Sequence, residues 1–271
     1  MKRSIFAAPY ATWMALFTIA PLLFVVYFAF TDKAGAATLA NIGKFWDPVY
    51  LNVLWRSLYL ALYCTAICLL VGYPAAYFLA SRDFSRHRLL FVLILLPMWM
   101  NFLLRTYAMM SLLEDSGIIN SLLKRMGLAP VTLIGTEGPV LLGMVYNFVP
   151  FMILPIHTAL RKMDARVIEA AEDLGANPFD VFRRVVLPLS LPGVVSGITM
   201  VFMPAVTTFA ISRLLGSGNF WLFGDVIERQ FLEANDWNFG SMLSLVMMAL
   251  ILVSTSFLNR VDPQKEGSGA Y

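Results

Sequence analysis

The sequence predicts an all-α integral membrane protein, built as a bundle of six transmembrane helices. Of its 271 residues, 59% are hydrophobic and only 14% are charged, a composition typical of membrane proteins. Six apolar runs are each long enough to cross roughly 30 Å of hydrocarbon. Backbone groups in lipid must be satisfied within their own segment, which favours helices over open sheet. We therefore expect a transmembrane domain over residues 1–261 and a disordered cytoplasmic tail over residues 262–271.

Five of the six runs contain no charged residue. They cover residues 4–31, 57–81, 138–160, 185–212 and 237–259, and the sixth, 89–113, is interrupted only by Arg105. The first run resembles a signal peptide, because Ala34, Gly35 and Ala36 resemble a cleavage site. Its apolar stretch is too long for that, and further spans follow, so we expect an uncleaved first helix.

The Lys and Arg residues between the spans indicate the orientation, because cytoplasmic loops carry an excess of them. With the N-terminus inside, twelve fall on the cytoplasmic side: Lys2, Arg3, Arg82, Arg86, Arg88, Arg161, Lys162, Arg166, Arg183, Arg184, Arg260 and Lys265. Six fall outside: Lys33, Lys44, Arg56, Lys124, Arg125 and Arg229. Both termini are thus expected in the cytoplasm. The same bias accounts for the net charge of +3 without a nucleic-acid partner.

The segment between the fourth and fifth spans contains an ordered set of helix stop and start signals. Asp164 suits the N-cap of a short helix that ends near Leu174, and Gly175 suits the left-handed residue that closes it. Asn177 followed by Pro178 predicts the N-cap and first residue of a second helix. The chain is therefore expected to turn sharply here and start again.

The first of these short helices carries a narrow apolar stripe formed by Ile168, Ala171 and Leu174. A stripe of this kind favours docking into a groove of another protein. The alternative is a solvated charged face, which we favour for Glu172 and Asp180.

The same segment carries a family resemblance. Its pattern Glu169-Ala170-Ala171, followed by Gly175 and then Leu187-Pro188, resembles the cytoplasmic EAA loop of permease subunits of type I ABC importers. Residues 95–113, 169–197 and 226–241 are similar to the first permease subunit of spermidine/putrescine importers. The resemblance implies a multi-pass protein of the bacterial plasma (inner) membrane, with a coupling-helix loop between helices 4 and 5.

The resemblance also implies partners and a division of labour. A second permease subunit, two ATP-binding subunits and an extracytoplasmic polyamine-binding protein would complete the transporter in the lipid bilayer. ATP and Mg would be bound by the ATPase subunits, with no cofactor in this non-catalytic chain. Contact with an ATPase subunit is implied for Glu169, Ala170, Ala171, Asp173, Leu174, Gly175 and Ala176.

Polar and aromatic side chains within the spans are the candidates for a solute pathway, because such groups usually face the bundle interior or water. They are Trp99, Asn101, Arg105, Tyr107, Tyr146 and Asn147. The rings of Trp99 and Tyr146 suit alkylammonium groups through cation–π attraction. Hydrogen bonds to neighbouring helices are the alternative role. Arg105 disfavours a purely cation-friendly path, and we expect it to pair with Glu114 or Asp115 near the outer end.

Outside the spans, residues 114–128 predict a short amphipathic helix on the outer surface. Residues 217–236 are acidic, which suits attraction of a cationic solute or a binding protein, or else a plain solvated loop. Cys64 and Cys68 are expected to pack in a helix interface.

No cluster has metal-ligand spacing, and neither a phosphate-binding loop nor a catalytic set is visible in the sequence. Two alternatives to a polyamine permease remain. One is a permease for another small solute, and the other is a membrane channel or embedded enzyme without ATPase partners.

Overall fold

The computed structural model describes residues 9–10, 12–80 and 88–261. Over these ranges the chain forms twelve helices and one isolated bridge between Thr31 and Ala37. The helices are α1 (Thr12–Ala29), α2 (Ala40–Phe45), α3 (Pro48–Ala80), α4 (Arg88–Trp99), α5 (Phe102–Leu113), α6 (Ile118–Arg125), α7 (Glu137–Lys162), α8 (Ala165–Asp173), α9 (Pro178–Thr207), α10 (Ala210–Leu215), α11 (Phe223–Leu232) and α12 (Trp237–Val261). The predicted tail, the basic residues near the N-terminus and those at 82 and 86 lie outside the described residues.

Among the described residues, five helices are long and apolar enough to span a membrane: α1, α3, α7, α9 and α12. A sixth span is present if α4 and α5 are counted together, which agrees with the predicted all-α bundle. "Inner" and "outer" are used below according to the orientation predicted from the charges.

The third span is not the continuous helix that the sequence predicted over residues 89–113. It breaks between α4 and α5, with a bend of 95°. Pro97 lacks an N–H and weakens the end of α4, and the Met100 N–H turns back to the Pro97 carbonyl at 3.1 Å. Asn101 is non-helical, with φ −57° and ψ 128°, and its Oδ1 accepts from the N–H groups of Leu103 and Leu104. Asn101 therefore caps a new helix in mid-span.

Two other spans differ in extent from their charge-free runs. The second begins at Pro48, before the run that starts at residue 57. The fifth begins at Pro178 and ends at Thr207, because Thr208 is extended and separates it from α10. A methyl group at Gly224 would lie 2.7 Å from the Thr208 carbonyl oxygen. The start of α11 thus packs against the backbone where the fifth span ends.

The core lies among α3, α7 and α9, which make the most extensive contacts with one another. Their backbones approach closely at glycines: a methyl group at Gly193 would lie 2.6 Å from Ala159 Cβ, and one at Gly197 would lie 2.7 Å from Met152 Sδ. Small residues therefore allow the fifth span to pack closely against the fourth. Cys64 and Cys68 are buried on α3, as the packing interpretation requires, with their sulfurs 4.0 Å apart.

The outer side is held together by polar contacts between distant segments. The Asn238 side-chain amide, at the start of α12, donates to the Thr31 carbonyl oxygen at 2.8 Å. The Phe223 N–H, at the start of α11, donates to the Ser57 hydroxyl at 2.7 Å. The amphipathic helix predicted over residues 114–128 is present as α6. The acidic segment 217–236 is not a plain loop, because α11 occupies its middle.

Candidate functional site

The segment between the fourth and fifth spans has the predicted helix caps. Asp164 accepts a hydrogen bond from the Arg166 N–H at 3.0 Å and so caps α8. Gly175 has φ +82°, the left-handed conformation that glycine adopts without strain. The N–H of Gly175 bonds to the Glu172 carbonyl and that of Ala176 to the Ala171 carbonyl. This pair of bonds is a Schellman motif, which closes the helix.

The second helix then starts as the sequence predicted. Asn177 Oδ1 accepts from the Asp180 N–H at 2.9 Å, and Pro178 occupies the first helical position. Asp180 also forms an ion pair with Arg184 at 3.2 Å. We call residues 164–181 the coupling loop below. Its two helices meet at a corner fixed by Gly175.

The coupling loop presents apolar side chains to its surroundings. α8 has no fully buried residue, Leu174 is 89% exposed, and Phe179 is 68% exposed. Leucine and phenylalanine side chains that protrude from a polar loop are typical of a surface that docks on another protein. Phe179 is not among the residues predicted to contact an ATPase subunit, although its position directly after Asn177-Pro178 is visible in the sequence.

The predicted apolar stripe on α8 is divided between two environments. Ile168 lines a cavity of about 520 Å³, together with Tyr77, Leu160, Glu169, Glu172 and Val186. This cavity separates α8 from the inner ends of the spans. Leu174, by contrast, is exposed. That Ile168, Ala171 and Leu174 act together as one docking stripe stays a prediction.

The predicted pathway residues fall into two groups. Trp99, Asn101, Tyr107 and Tyr146 are exposed. Trp99 stands at the break of the third span and is 85% exposed. Arg105 and Asn147 are instead buried within the protein. An exposed aromatic side chain on a spanning helix faces either lipid or a partner subunit, and the pathway role of the first group stays a prediction.

Arg105 does not form the ion pair predicted for it. Its Nε and Nη1 atoms have no hydrogen-bond partner among the residues that the structure describes. Glu114 instead ends α5, where its carbonyl oxygen accepts from Asn120 Nδ2 at 3.3 Å. The sequence places Glu114 more than two helical turns from Arg105, beyond the reach of a side chain held inside the bundle.

A buried acid on the outer side was not found from the sequence. The Asp225 carboxylate accepts from the Leu222 N–H at 2.7 Å and so caps α11, and the residue is 5% exposed. Burial raises the pKa of Asp225 to about 6, and hydrogen bonds from Ser212 and Leu222 oppose this rise.

Charged side chains near Asp225 are paired. Glu228 forms an ion pair with Arg213 at 2.8 Å. The guanidinium of Arg229 lies 3.5 Å from the Trp221 ring centre.

The fold thus defines a multi-pass membrane protein with one exposed helical loop between its fourth and fifth spans. Residues 69–267 match the model of a protein family described as the binding-protein-dependent transport system inner membrane component. The match covers more than half of the chain, and the chain belongs to this family. It is therefore an inner membrane component of a transport system.

Individual relatives agree with this assignment. The chain is 41% identical over 253 residues to the spermidine/putrescine transport system permease protein PotB of Haemophilus influenzae, covering 89% of this chain and 88% of the relative. It is 36% identical over 252 residues to PotB of Escherichia coli, covering 89% and 92% of the two chains.

A solved structure has the same fold. A bacterial ABC transporter involved in the import of the acidic polysaccharide alginate superimposes with a TM-score of 0.78. The superposition covers 96% of this chain and 94% of the other, at 16% identity. At that identity the likeness establishes the fold alone.

Proposed function

We propose that the chain is a permease subunit of an ATP-driven importer and that its solute is a polyamine such as spermidine or putrescine. The exposed coupling loop carries the first part of this proposal, because its apolar side chains require a docking partner. The two PotB relatives, which are named for spermidine and putrescine transport, support the second part. The chain itself is the non-catalytic part of the complex.

The proposed complex contains a second permease subunit, so that the two chains enclose the route. Two ATP-binding subunits bind ATP and Mg and drive alternating access through the coupling loops. An extracytoplasmic binding protein delivers the polyamine, in keeping with the binding-protein dependence in the family's description. Both termini lie in the cytoplasm, which the excess of Lys and Arg in the inner loops supports.

The coupling loop is built to transmit movement as a rigid corner. Residues near its centre, Glu169 to Ala176, include the Schellman motif that fixes the angle between α8 and α9. Leu174 and Phe179 lie on either side of this corner and are both exposed. A groove of the ATP-binding subunit that holds these two side chains would move α9, a spanning helix, directly.

The route itself is proposed to pass the break in the third span. Trp99 offers a ring face there, and the end of α4 leaves carbonyl oxygens without helical partners. An indole face and carbonyl oxygens are groups that attract a primary ammonium. Tyr107 and Tyr146 add two more exposed aromatic rings on the third and fourth spans.

Co-purification tests the docking role. The complex is expressed with wild-type chain, with Leu174→Ser, with Phe179→Ser and with Leu112→Ser as the control. Leu112 is also exposed but lies on α5, far along the chain from the coupling loop. We expect the ATP-binding subunit to be lost from the Leu174→Ser and Phe179→Ser complexes. The wild type and Leu112→Ser should retain it. Equal recovery from all four would contradict the docking role and favour a channel or embedded enzyme without ATPase partners.

A further inference from the structure

Arg229, on α11, makes a cation–aromatic contact near the outer surface. Its guanidinium lies 3.5 Å from the ring centre of Trp221, and its Nε donates to Glu233 Oε2 at 2.6 Å. The Trp221 Nε1–H donates to the Gly218 carbonyl oxygen at 2.6 Å, which holds the indole in place. A ring face beside a carboxylate is a combination that binds organic cations. The placement of Arg229 therefore shows that Trp221 and Glu233, which we call the outer cation site, can hold a cationic group.

Two cavities meet at the outer cation site. The larger, of about 580 Å³, is a groove between the outer end of α3 and α11, and its apolar lining includes Val53 and Val226. The smaller, of about 60 Å³, is lined by two further acids, Asp225 and Glu228. The outer cation site and Arg229 line both cavities. These side chains therefore form a wall that the groove and the acidic cavity share.

The smaller cavity would have an excess of acid without Arg229. Its lining contains three carboxylates, Asp225, Glu228 and Glu233, and two guanidinium groups, Arg213 and Arg229. Arg213 is already paired with Glu228 at 2.8 Å. If Arg229 moved away, one guanidinium would face three carboxylates. Such an excess of negative charge attracts another cation to the same place.

Arg229 can leave its position at little cost. Arg229 and Glu233 are four residues apart, and their side chains are 44% and 54% exposed. Exposed ion pairs at this spacing contribute little to stability, because water screens the charges and solvates the separated groups. A solute cation that is attracted to the same ring and carboxylate can therefore take the place of Arg229.

We propose that the outer cation site is an entry site for one charged end of the transported solute, and that Arg229 occupies this site until the solute displaces it. The inference rests on the proposed function, because it assigns the site to the solute of the transporter. The ligand is a linear molecule with a terminal ammonium or guanidinium. Its charged end replaces the Arg229 guanidinium on Trp221 and Glu233, and its methylene chain lies against the apolar lining of the groove.

Removal of the resident cation tests the displacement. Binding of labelled spermidine is measured by equilibrium dialysis with the full membrane complex in nanodiscs, without the binding protein. The Arg229→Gln complex should bind spermidine about 2- to 30-fold more tightly than the wild type, because the competing group is gone. A purely structural role of Arg229 predicts equal or weaker binding. Binding by Arg229→Gln that is no tighter than by the wild type, or that is absent from both, would overturn the proposal.

Trp221 provides a second test, in which the expected change has the opposite sign. Trp221→Leu should weaken spermidine binding by about 2- to 30-fold, and Trp221→Phe should recover part of it, because a ring face is restored. Trp46→Leu is the matched control, since Trp46 is 65% exposed on the same outer side and is not among the residues that line either cavity. Equal affinities for the wild type and Trp221→Leu would overturn the entry site, even if Arg229→Gln does not assemble.

The chemistry of the resident group gives a third test, which needs no variant. Because Arg229 presents a guanidinium, agmatine, which has a guanidinium at one end and an ammonium at the other, should compete with labelled spermidine for the wild-type complex. A neutral diol of similar length should not compete. Competition by the diol equal to that by agmatine would contradict a site that selects cations.

The wild-type complex separates the two levels of inference. If it shows no ATP-dependent uptake of spermidine or putrescine, the proposed function fails. If it transports them but Arg229→Gln and Trp221→Leu bind spermidine as the wild type does, the proposed function stands and the entry site alone is wrong.

Discussion

Gly175 provides the sharpest test of the coupling loop. Its φ of +82° lies in the left-handed region, and a methyl group added there would meet no atom within 4 Å. A substitution therefore costs backbone strain and nothing else. For a non-glycine residue this strain is about 1–2 kcal/mol, at the high end for a β-branched residue such as Val. Asn, which tolerates the left-handed region, should cost less.

The strain should appear in transport, because α8 has no fully buried residue that would hold the corner in place. A cost of about 1–2 kcal/mol shifts the population of the correct corner by about 5- to 30-fold. We expect Gly175→Val to reduce uptake and solute-stimulated ATPase by that factor, while the subunits still insert and associate. Gly175→Asn should retain most activity.

Gly138→Val is the matched control. Gly138 lies in the first turn of α7, does not have positive φ, and likewise has nothing within 4 Å of an added methyl group. Transport should survive this change. If Gly175→Val transports normally, or if Gly175→Asn is as damaging as Gly175→Val, the argument from backbone strain is refuted.

Three further changes test other parts of the account. Trp99→Leu removes an attraction of about 0.5–2 kcal/mol per cation contact, so uptake per assembled complex should fall by about 2- to 30-fold. Trp99→Phe should recover part of the lost uptake, and full uptake by Trp99→Leu would show that Trp99 does not line the route. Gly193→Val places its first added carbon 2.6 Å from Ala159 Cβ. The resulting overpacking costs about 1–3 kcal/mol and should lower the Tm of the complex. An unchanged Tm would mean that α7 and α9 can move apart freely. Asp225 has a pKa raised from 3.8 to about 6, so its contribution to stability is fully present below pH 4 and is lost as pH rises through 6, by about 3 kcal/mol at most. Asp225→Asn should therefore flatten the fall in Tm between pH 4 and pH 7, and an identical profile for both proteins would contradict the assignment.

The sequence predicted the coupling loop well because the signals there are local. Asp164, Gly175 and Asn177 each specify their own conformation through a side chain or through the absence of one. The spans were also predictable in number, since the hydrocarbon thickness sets a minimum length. Such features depend on a few neighbouring residues and need no knowledge of the packing.

The failures concern residues whose environment is set by distant parts of the chain. The break at Asn101 was missed: Pro97 followed by Asn101 was a signal for it, but the long apolar run concealed it. The cavity beside Ile168 is lined by α8 together with residues of α3, α7 and α9, and the periodicity of one helix cannot reveal it. Asp225 is buried because α11 packs against the break at Thr208. Glu114 and Asp115 were expected to pair with Arg105 because they lie near it in the sequence. The surroundings of Arg105 are instead set by the helices that pack against α5.

Uptake by the assembled transporter is the decisive test of ATP-driven polyamine import. Vesicles containing this chain, a second permease subunit, the ATP-binding subunits and the binding protein would be supplied with labelled spermidine or putrescine, with and without ATP. We expect ATP-dependent accumulation that unlabelled polyamines compete away and that unrelated neutral or anionic solutes leave unchanged. Accumulation that needs no ATP, or that is competed away by an unrelated solute and not by polyamines, would contradict it.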